Sequence, residues 1–249
     1  MIKELVVGLA VGCVTGWIGL RSRLLSGSGA ASVVLSLGLI FVGGGWVWGI
    51  LTFLVYVAGG IWSRYRAADK KDRLGGLLQT ERGWRQIASR VGWSAVLALI
   101  YFLLPQASSV FIAFVGALAT ANADMWATEL GILSSRPPRL VTSGRRVSAG
   151  TPGGVSALGT VASLGAAWLV GFVGLLLVVL LAYWSGGAWN RAFSWLPLLA
   201  TLGGLAPCRI ASWGPLYRGC IIVIVVIARP RTLSMYAERK PLGFAAGRG

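Results

Sequence analysis

The chain has 249 residues, of which 56% are hydrophobic and 12% charged, about half the charged fraction of ordinary soluble domains. Mean hydropathy is +0.75. Glycine occurs 36 times, tryptophan 12 times and histidine not at all, and 23 basic residues against 7 acidic ones give a net charge of +16. These values exclude an ordinary soluble enzyme, a disordered tail protein and a disulfide scaffold. Without histidine there is no Ser-His triad and no zinc–histidine site. Cys13, Cys208 and Cys220 lack metal-site spacing.

Apolar runs long enough for a bilayer, roughly 20 residues each, recur along the chain. The first covers about Leu5 to Leu20. Lys3 precedes it as in a signal peptide, but no clean small-residue cleavage site follows, so it reads as a retained helix. The stretch 30–62 is too long for one helix, and Gly43-Gly44-Gly45 divides it into about 30–43 and 46–62. Residues 64–90 are polar, with eight basic residues against Asp69, Asp72 and Glu81, a net of +5. Spans follow at about 91–104 and 108–121, separated by Pro105-Gln106. Residues 122–152 read as a mostly polar loop, then come Val155–Trp184 and a short run at 195–206. The expected fold is all-α, a multi-pass transmembrane bundle of about six to seven helices. Residues 1–205 form its transmembrane domain, and 206–249 form an atypical tail.

Lysine and arginine set the expected orientation. If 64–90 is cytoplasmic, alternation puts 21–29 and 122–152 on the same side. Those loops carry Arg21, Arg23, Arg136, Arg139, Arg145 and Arg146, whereas the opposite connections hold only Arg191. A basic surplus that tracks topology speaks against nucleic acid as a partner. Trp17, Trp46, Trp48, Trp62, Trp93, Trp184 and Trp195 lie near span ends, as an aromatic belt would. The expected location is the cell membrane.

Acid–base or metal chemistry must rest on few acids, and Asp124 and Glu129 stand out at the end of a span. A carboxylate there is costly unless paired or functional. The functional reading is a carboxylate pair holding a divalent ion such as Mg²⁺, the usual partner of transferred phosphates. The simpler reading has both at the interface, with Glu129 paired to Arg136. Five residues apart, they diverge by about 140° on an ideal helix, so a shared face requires unwinding. Downstream lie Arg136, Arg139, Arg145 and Arg146, whose guanidinium forks suit phosphate oxygens, although topology alone also explains arginines there. Gly150-Thr151-Pro152-Gly153-Gly154-Val155-Ser156 then enters an apolar helix. Such a turn can offer backbone N–H groups to a phosphate, or be a turn before a helix capped by Thr151 or Ser156. It is not a P-loop, since the lysine of that motif is missing. Together these are the parts for phosphoryl or nucleotidyl transfer.

The block NADMWATELGILSSRPPRLVTSGRRVSAGTPGGVSALGTVASLG resembles the signature of an integral membrane family. That family contains the plant phytyl-phosphate kinase and animal transmembrane protein nineteen, with a pattern of roughly ADTWASELG, PPRLIT, a basic pair, GTNGGVS and GT-ASL. Met125 stands here for the usual Thr and Pro152 for the usual Asn. Ser28-Gly29-Ala30 opening a span and the RGWRQIAS stretch from Arg82 also fit, so the likeness covers about residues 5–205. It implies a multi-pass enzyme that phosphorylates an isoprenyl monophosphate to the diphosphate with a nucleoside triphosphate, CTP or ATP. Asp124 and Glu129 would be catalytic and hold Mg²⁺. Arg136, Arg139, Arg145, Arg146, Gly150, Thr151, Gly153, Gly154 and Ser156 would bind phosphate. The bilayer and an isoprenyl phosphate would be its partners. The alternative is a non-enzymatic lipid or anion transporter or flippase, since intramembrane acids and glycine-broken spans occur there too. The absence of an obvious internal repeat counts against it.

The likeness stops after about Leu205. The family continues with a D-SLLGATVQ motif and a CG-ET stretch, where this chain reads APCRIASWGPLYRG. Reading the codons of Cys208 to Arg218 one base earlier permits SDRLLGATVQ, and the same shift over Met235 to Leu242 permits VCGTETT. Two family motifs in order in one alternative frame point to a frameshift near residues 203–208. It would remove the family's last acidic motif from this chain and leave the activity of this reading frame in question.

Overall fold

The computed structural model describes residues 2–74, 81–103, 108–151, 153–184, 186 and 191–209. Its elements are α1 (Ile2–Arg21), α2 (Gly27–Gly44), α3 (Trp46–Arg64), α4 (Ala67–Arg73), α5 (Trp84–Leu103), α6 (Ser108–Gly131), β1 (Arg139–Leu140), β2 (Gly154–Val155), α7 (Ala157–Trp184), a 3₁₀ turn (Arg191–Trp195) and α8 (Leu196–Arg209). The all-α architecture is therefore as expected. The tail expected to be out of frame falls, beyond Arg209, outside the described residues.

Helices α1, α5, α6 and α7 and the apolar stretch Gly27–Arg64 are each long and apolar enough to cross a membrane. The last of these is not one rod. Gly45 sits at φ 77°, a region a side chain rarely adopts, and the chain reverses there. Ser36 and Tyr56 then meet across the helix pair, with their hydroxyls 2.8 Å apart. α2 and α3 thus form an antiparallel hairpin, broken within the glycine run.

α1 packs along α2 through Gly8, Gly12 and Gly16, and Gly19 lies against Leu25 of the turn between the helices; all four glycines are buried. A Cβ at Gly12 would lie 2.8 Å from the Cα of Val34, so the two backbones touch where only glycine fits. This is the small-residue packing that membrane helices use when lipid offers no hydrophobic drive. The core is built around α6. Residues 110–120 of that helix are buried on every side, as expected of a helix with neighbours all round. Trp48 of α3 joins this core, its ring centroid 4.2 Å from Phe114 and 4.9 Å from Tyr101. Trp48 is thus a core residue and not part of an aromatic belt. Trp17, Trp46, Trp184 and Trp195 are exposed, as a belt requires.

Two helices run longer than their apolar stretches. α5 begins at Trp84, ahead of the expected start at 91, and α6 continues to Gly131, past the expected end at 121. Residues 122–130 stay helical, with Asn122 bonded to Ala166 O and Glu129 to Lys70 and Arg82 on neighbouring segments, so no unwinding is needed. The region expected as the loop 122–152 is helix up to Gly131.

The basic connections gather at one end of the bundle. Leu25 bridges Arg82 in parallel, with Arg82 N–H donating to Leu24 O at 2.9 Å and Ser26 N–H to Arg82 O at 3.2 Å. Arg73 donates to Ser134 O at 2.5 Å, and the side chain of Leu74 lies beneath Gly150. The α3–α5 connection therefore touches both the α1–α2 and the α6–α7 connections, as alternating spans require.

The α1–α2 contact is testable. Gly12→Leu should lower thermal stability in detergent by about 1–3 kcal/mol, as overpacking does. Gly27→Ala, where a Cβ meets nothing within 4 Å, should leave it unchanged or slightly raised.

Candidate functional site

The centre of the basic end is Glu129 on α6. Lys70 of α4 donates to its Oε2 at 2.8 Å, and Arg82 donates to Oε1 at 2.6 Å. The Ser63 hydroxyl of α3 also donates to Oε1 at 2.8 Å. Lys70 is 1% exposed, and its Nζ also donates to Trp62 O at 2.5 Å. A lysine this buried needs a carboxylate and full hydrogen bonding to stay charged. Glu129 supplies the first, and the carbonyl at the end of α3 supplies part of the second. Four separate segments meet at this one carboxylate.

Asp124 lies about 10 Å inside the α6 terminus, at 1.5 Å per residue, and is half-buried. Because α6 is continuous here, Asp124 and Glu129 point about 140° apart. Glu129 is brought to Lys70 and Arg82, not to Arg136. Among the described residues no group of three Cys, Asp or Glu side chains could hold a metal ion. With both its oxygens taken by cations, Glu129 is poorly suited to a divalent ion. Asp124, half-buried on another face of α6, is the other acid of the pair.

The arginine-rich connection is ordered by a small β ladder. β1 pairs antiparallel with β2, Arg139 opposite Val155 and Leu140 opposite Gly154. Arg139 also bridges Arg146 antiparallel, and the turn closes with Gly144 N–H donating to Leu140 O at 2.8 Å. Directly opposed residues in such a ladder bring their Cβ atoms to about 4.5–5.5 Å on one face. Arg139 and Arg146 are thus held together as a like-charged pair. Arg136 and Arg145 are exposed beside them, and residues 132–156 contain no acid. Such an arrangement costs energy by itself and suits a polyanion.

The glycine turn divides into two roles. Gly150 at φ 88° and Gly153 at φ 80° carry the backbone through conformations that favour glycine. Thr151 hydrogen-bonds Ser148, its Oγ1 donating to Ser148 O at 2.9 Å. Gly154 N–H donates to Thr151 O at 3.0 Å. Ser156 caps α7, accepting from Gly159 N–H at 3.1 Å, and donates to Gly131 O at 3.2 Å. Its buried hydroxyl therefore joins the end of α6 to the start of α7, the capping role.

Lys70 and Ser63 were not singled out by sequence reasoning, and Arg82 only within a family-like stretch. No spacing connects residues 63, 70, 82 and 129, so the cluster carried no local signal. A lysine on a seven-residue helix between spans looks like any topological charge.

A bundle of long apolar helices with its basic connections at one end defines a multi-pass integral membrane protein. The chain matches the integral membrane protein DUF92 family over residues 10–213, and it belongs to that family. It is 30% identical over 151 residues to Protein PGR of Arabidopsis thaliana, covering 55% of this chain and 51% of that protein. The chain thus spans about half the length of that relative. It is 28% identical over 200 residues to an uncharacterised membrane protein of Methanocaldococcus jannaschii, covering 77% of this chain and 81% of the other. No solved structure matches the chain.

Two outcomes follow from the cluster and the cap. Glu129→Ala leaves Lys70 and Arg82 unpaired and should destabilise the protein by about 3–5 kcal/mol. Combining it with Lys70→Met should recover part of that loss, measured by thermal unfolding in detergent. Ser156→Ala should cost about 1 kcal/mol, as loss of an N-cap does.

Proposed function

We propose that the protein transfers a phosphoryl group from a nucleoside triphosphate, CTP or ATP, to the monophosphate of an isoprenyl lipid, giving the diphosphate. The reading is carried by the acid-free arginine ladder, in which Arg139 and Arg146 are opposed with Arg136 and Arg145 beside them. A like-charged cross-strand pair is destabilising without an anion to bind. An exposed arginine cluster on a segment that carries no acid matches the triphosphate of a water-soluble nucleotide. The family resemblance around residues 119–165 supplies the substrate class. The positive-inside rule would put this end in the cytoplasm of a cell membrane.

In the proposed reaction a phosphate oxygen of the lipid attacks the terminal phosphorus of the triphosphate. The bond from that phosphorus to its bridging oxygen breaks, and the nucleoside diphosphate leaves with the electron pair. Arg139, Arg145 and Arg146 hold the triphosphate and offset charge that builds on the leaving group. The turn at Gly150, Thr151, Gly153 and Gly154 positions that platform at the start of α7. Asp124 would be the carboxylate that holds a Mg²⁺ ion brought with the nucleotide. Such an ion draws charge from the transferring and leaving oxygens when bound. Glu129 acts as a positioning residue that keeps Lys70 and Arg82 in place.

The test uses membranes containing the full chain, and in parallel a chain with the alternative C-terminal frame restored, supplied with isoprenyl monophosphate and CTP or ATP. Isoprenyl diphosphate should form. Asp124→Asn should reduce turnover at least 100-fold, on the order of a lost transition-state charge contact. Arg139→Gln together with Arg146→Gln should raise the nucleotide KM by tenfold or more, on the order of losing charge-assisted hydrogen bonds. Absence of diphosphate from both chains would overturn the kinase reading. Movement of lipid across proteoliposomes without covalent change would favour a transporter instead.

A further inference from the structure

The cations around Glu129 are more than a fastener. Lys70 and Arg82 bring two positive charges to one carboxylate, in a place where side-chain exposure is 1%, 19% and 18% for Lys70, Arg82 and Glu129. One positive charge is left over. Donors remain as well, because a lysine ammonium has three and a guanidinium five. Among the described residues Lys70 uses two, on Glu129 and Trp62 O, and Arg82 directs its Nη2 to Ser63 and Glu129 and one Nη1 donor to Met125 Sδ at 3.5 Å.

The surroundings of the cluster are apolar and continue inward. A shallow crevice of about 40 Å³ lies between α3, α6 and α7, walled by Leu51, Val55 and Ala58, by Leu169 and Val173, and by Asn122. Leu54 and Leu169 at its walls are about 40% exposed, so it opens on the outer surface of the bundle, where lipid would lie. The crevice and the cluster share one stripe on each of two helices. On α6, Asn122, Trp126 and Glu129 recur at i, i+4 and i+7, and on α3, Val55, Ala58 and Trp62 recur at i, i+3 and i+7, the spacings of one helix face.

Two polar atoms along this stripe lack the bonds a packing interface would give them. Asn122 is 1% exposed and donates from Nδ2 to Ala166 O at 3.1 Å. Its Oδ1 has no partner among the described residues. Trp126 packs edge-on against Trp62, ring centroids 4.9 Å apart, one turn from Asn122 and one from Glu129 along α6. Its buried Nε1 is also without a partner among the described residues, a donor on the α6 face that carries Asn122 and Glu129.

We infer that the Lys70–Arg82–Glu129 cluster and the α3–α7 crevice together form the subsite for a single-chain lipid monophosphate. The phosphate binds the spare donors of Lys70 and Arg82 beside Trp126, and the apolar chain lies along Ala58, Val55 and Leu169. This rests on the proposed kinase reading and divides its site in two. The exposed arginine ladder takes the soluble nucleotide, and the half-buried cluster takes the lipid. Glu129 fixes both cations before the phosphate arrives, which lowers the ordering cost of binding.

The experiment is equilibrium binding of a C20 isoprenyl monophosphate to the full chain in nanodiscs, with phosphatidic acid as competitor, alongside turnover. Lys70→Gln and Arg82→Gln should weaken isoprenyl-phosphate binding about tenfold or more and leave the nucleotide KM within about twofold. Ala58→Phe leaves the ion pairs intact and narrows the crevice, so it should shift preference toward shorter chains even if the charge variants fail to fold. Unchanged binding in all three variants, or equal competition by phosphatidic acid, would overturn the subsite. Binding that depends on these residues without turnover by wild type would sustain the subsite and remove the kinase reading.

Discussion

Everything at the basic end depends on the need to bury one carboxylate with its cations. Glu129 stands on the most enclosed helix of the bundle, where an unpaired charge would be prohibitive. Meeting that need draws in Lys70, Arg82 and Ser63 from three other segments. The consequences spread outward from there. Once Lys70 is drawn under Trp62, the short helix α4 must lie against the end of α6. Arg73 then reaches the carbonyls of Ile132 and Ser134, and Leu74 comes beneath Gly150. Arg82, fixed by its guanidinium on one side, pairs its backbone with the α1–α2 turn on the other. A single charge requirement thus decides how three connections meet.

The same constraint explains which parts of the fold were readable from the sequence. Apolar length and glycine placement identified the spans, and the reversal at Gly45 falls inside the Gly43–Gly45 run. Helix ends were less legible. Polarity beginning at Asn122 looked like the end of a span, yet α6 continues to Gly131 because Asn122 bonds Ala166 and Glu129 bonds its cations. Hydropathy records a polar residue but not the partner that makes its burial affordable. Trp48 shows the converse. Its position near a span end suggested the interface, whereas Phe114 and Tyr101 enclose it.

The candidate site divides along the same line. The arginines of 136–146 and the glycine turn were legible because they are local, crowded and free of acids. What the residues could not reveal was how the segment folds. The ladder places Arg139 opposite Arg146, and Ser156 spends its hydroxyl on the α7 cap and Gly131. The ion cluster had no local signature at all, since its members come from positions 63, 70, 82 and 129.

The two cationic centres differ in solvation, and that difference carries chemical meaning. In the ladder the arginines are exposed, so their field is screened and a ligand must bring several charges to be held. In the cluster the ammonium of Lys70 is withdrawn from water, and interactions there are stronger charge for charge. A single phosphate held there would gain more than the same phosphate on the ladder, provided that its ester chain also finds apolar surface. The α3–α7 crevice begins within two helical turns of Glu129 along α6 and offers that surface. A polyanionic, water-soluble ligand suits the first centre and an amphipathic monophosphate the second. The short α4 helix and its C-cap residue Leu74 lie between the two, Arg73 bonded to Ser134 O just past α6 and Leu74 against Gly150.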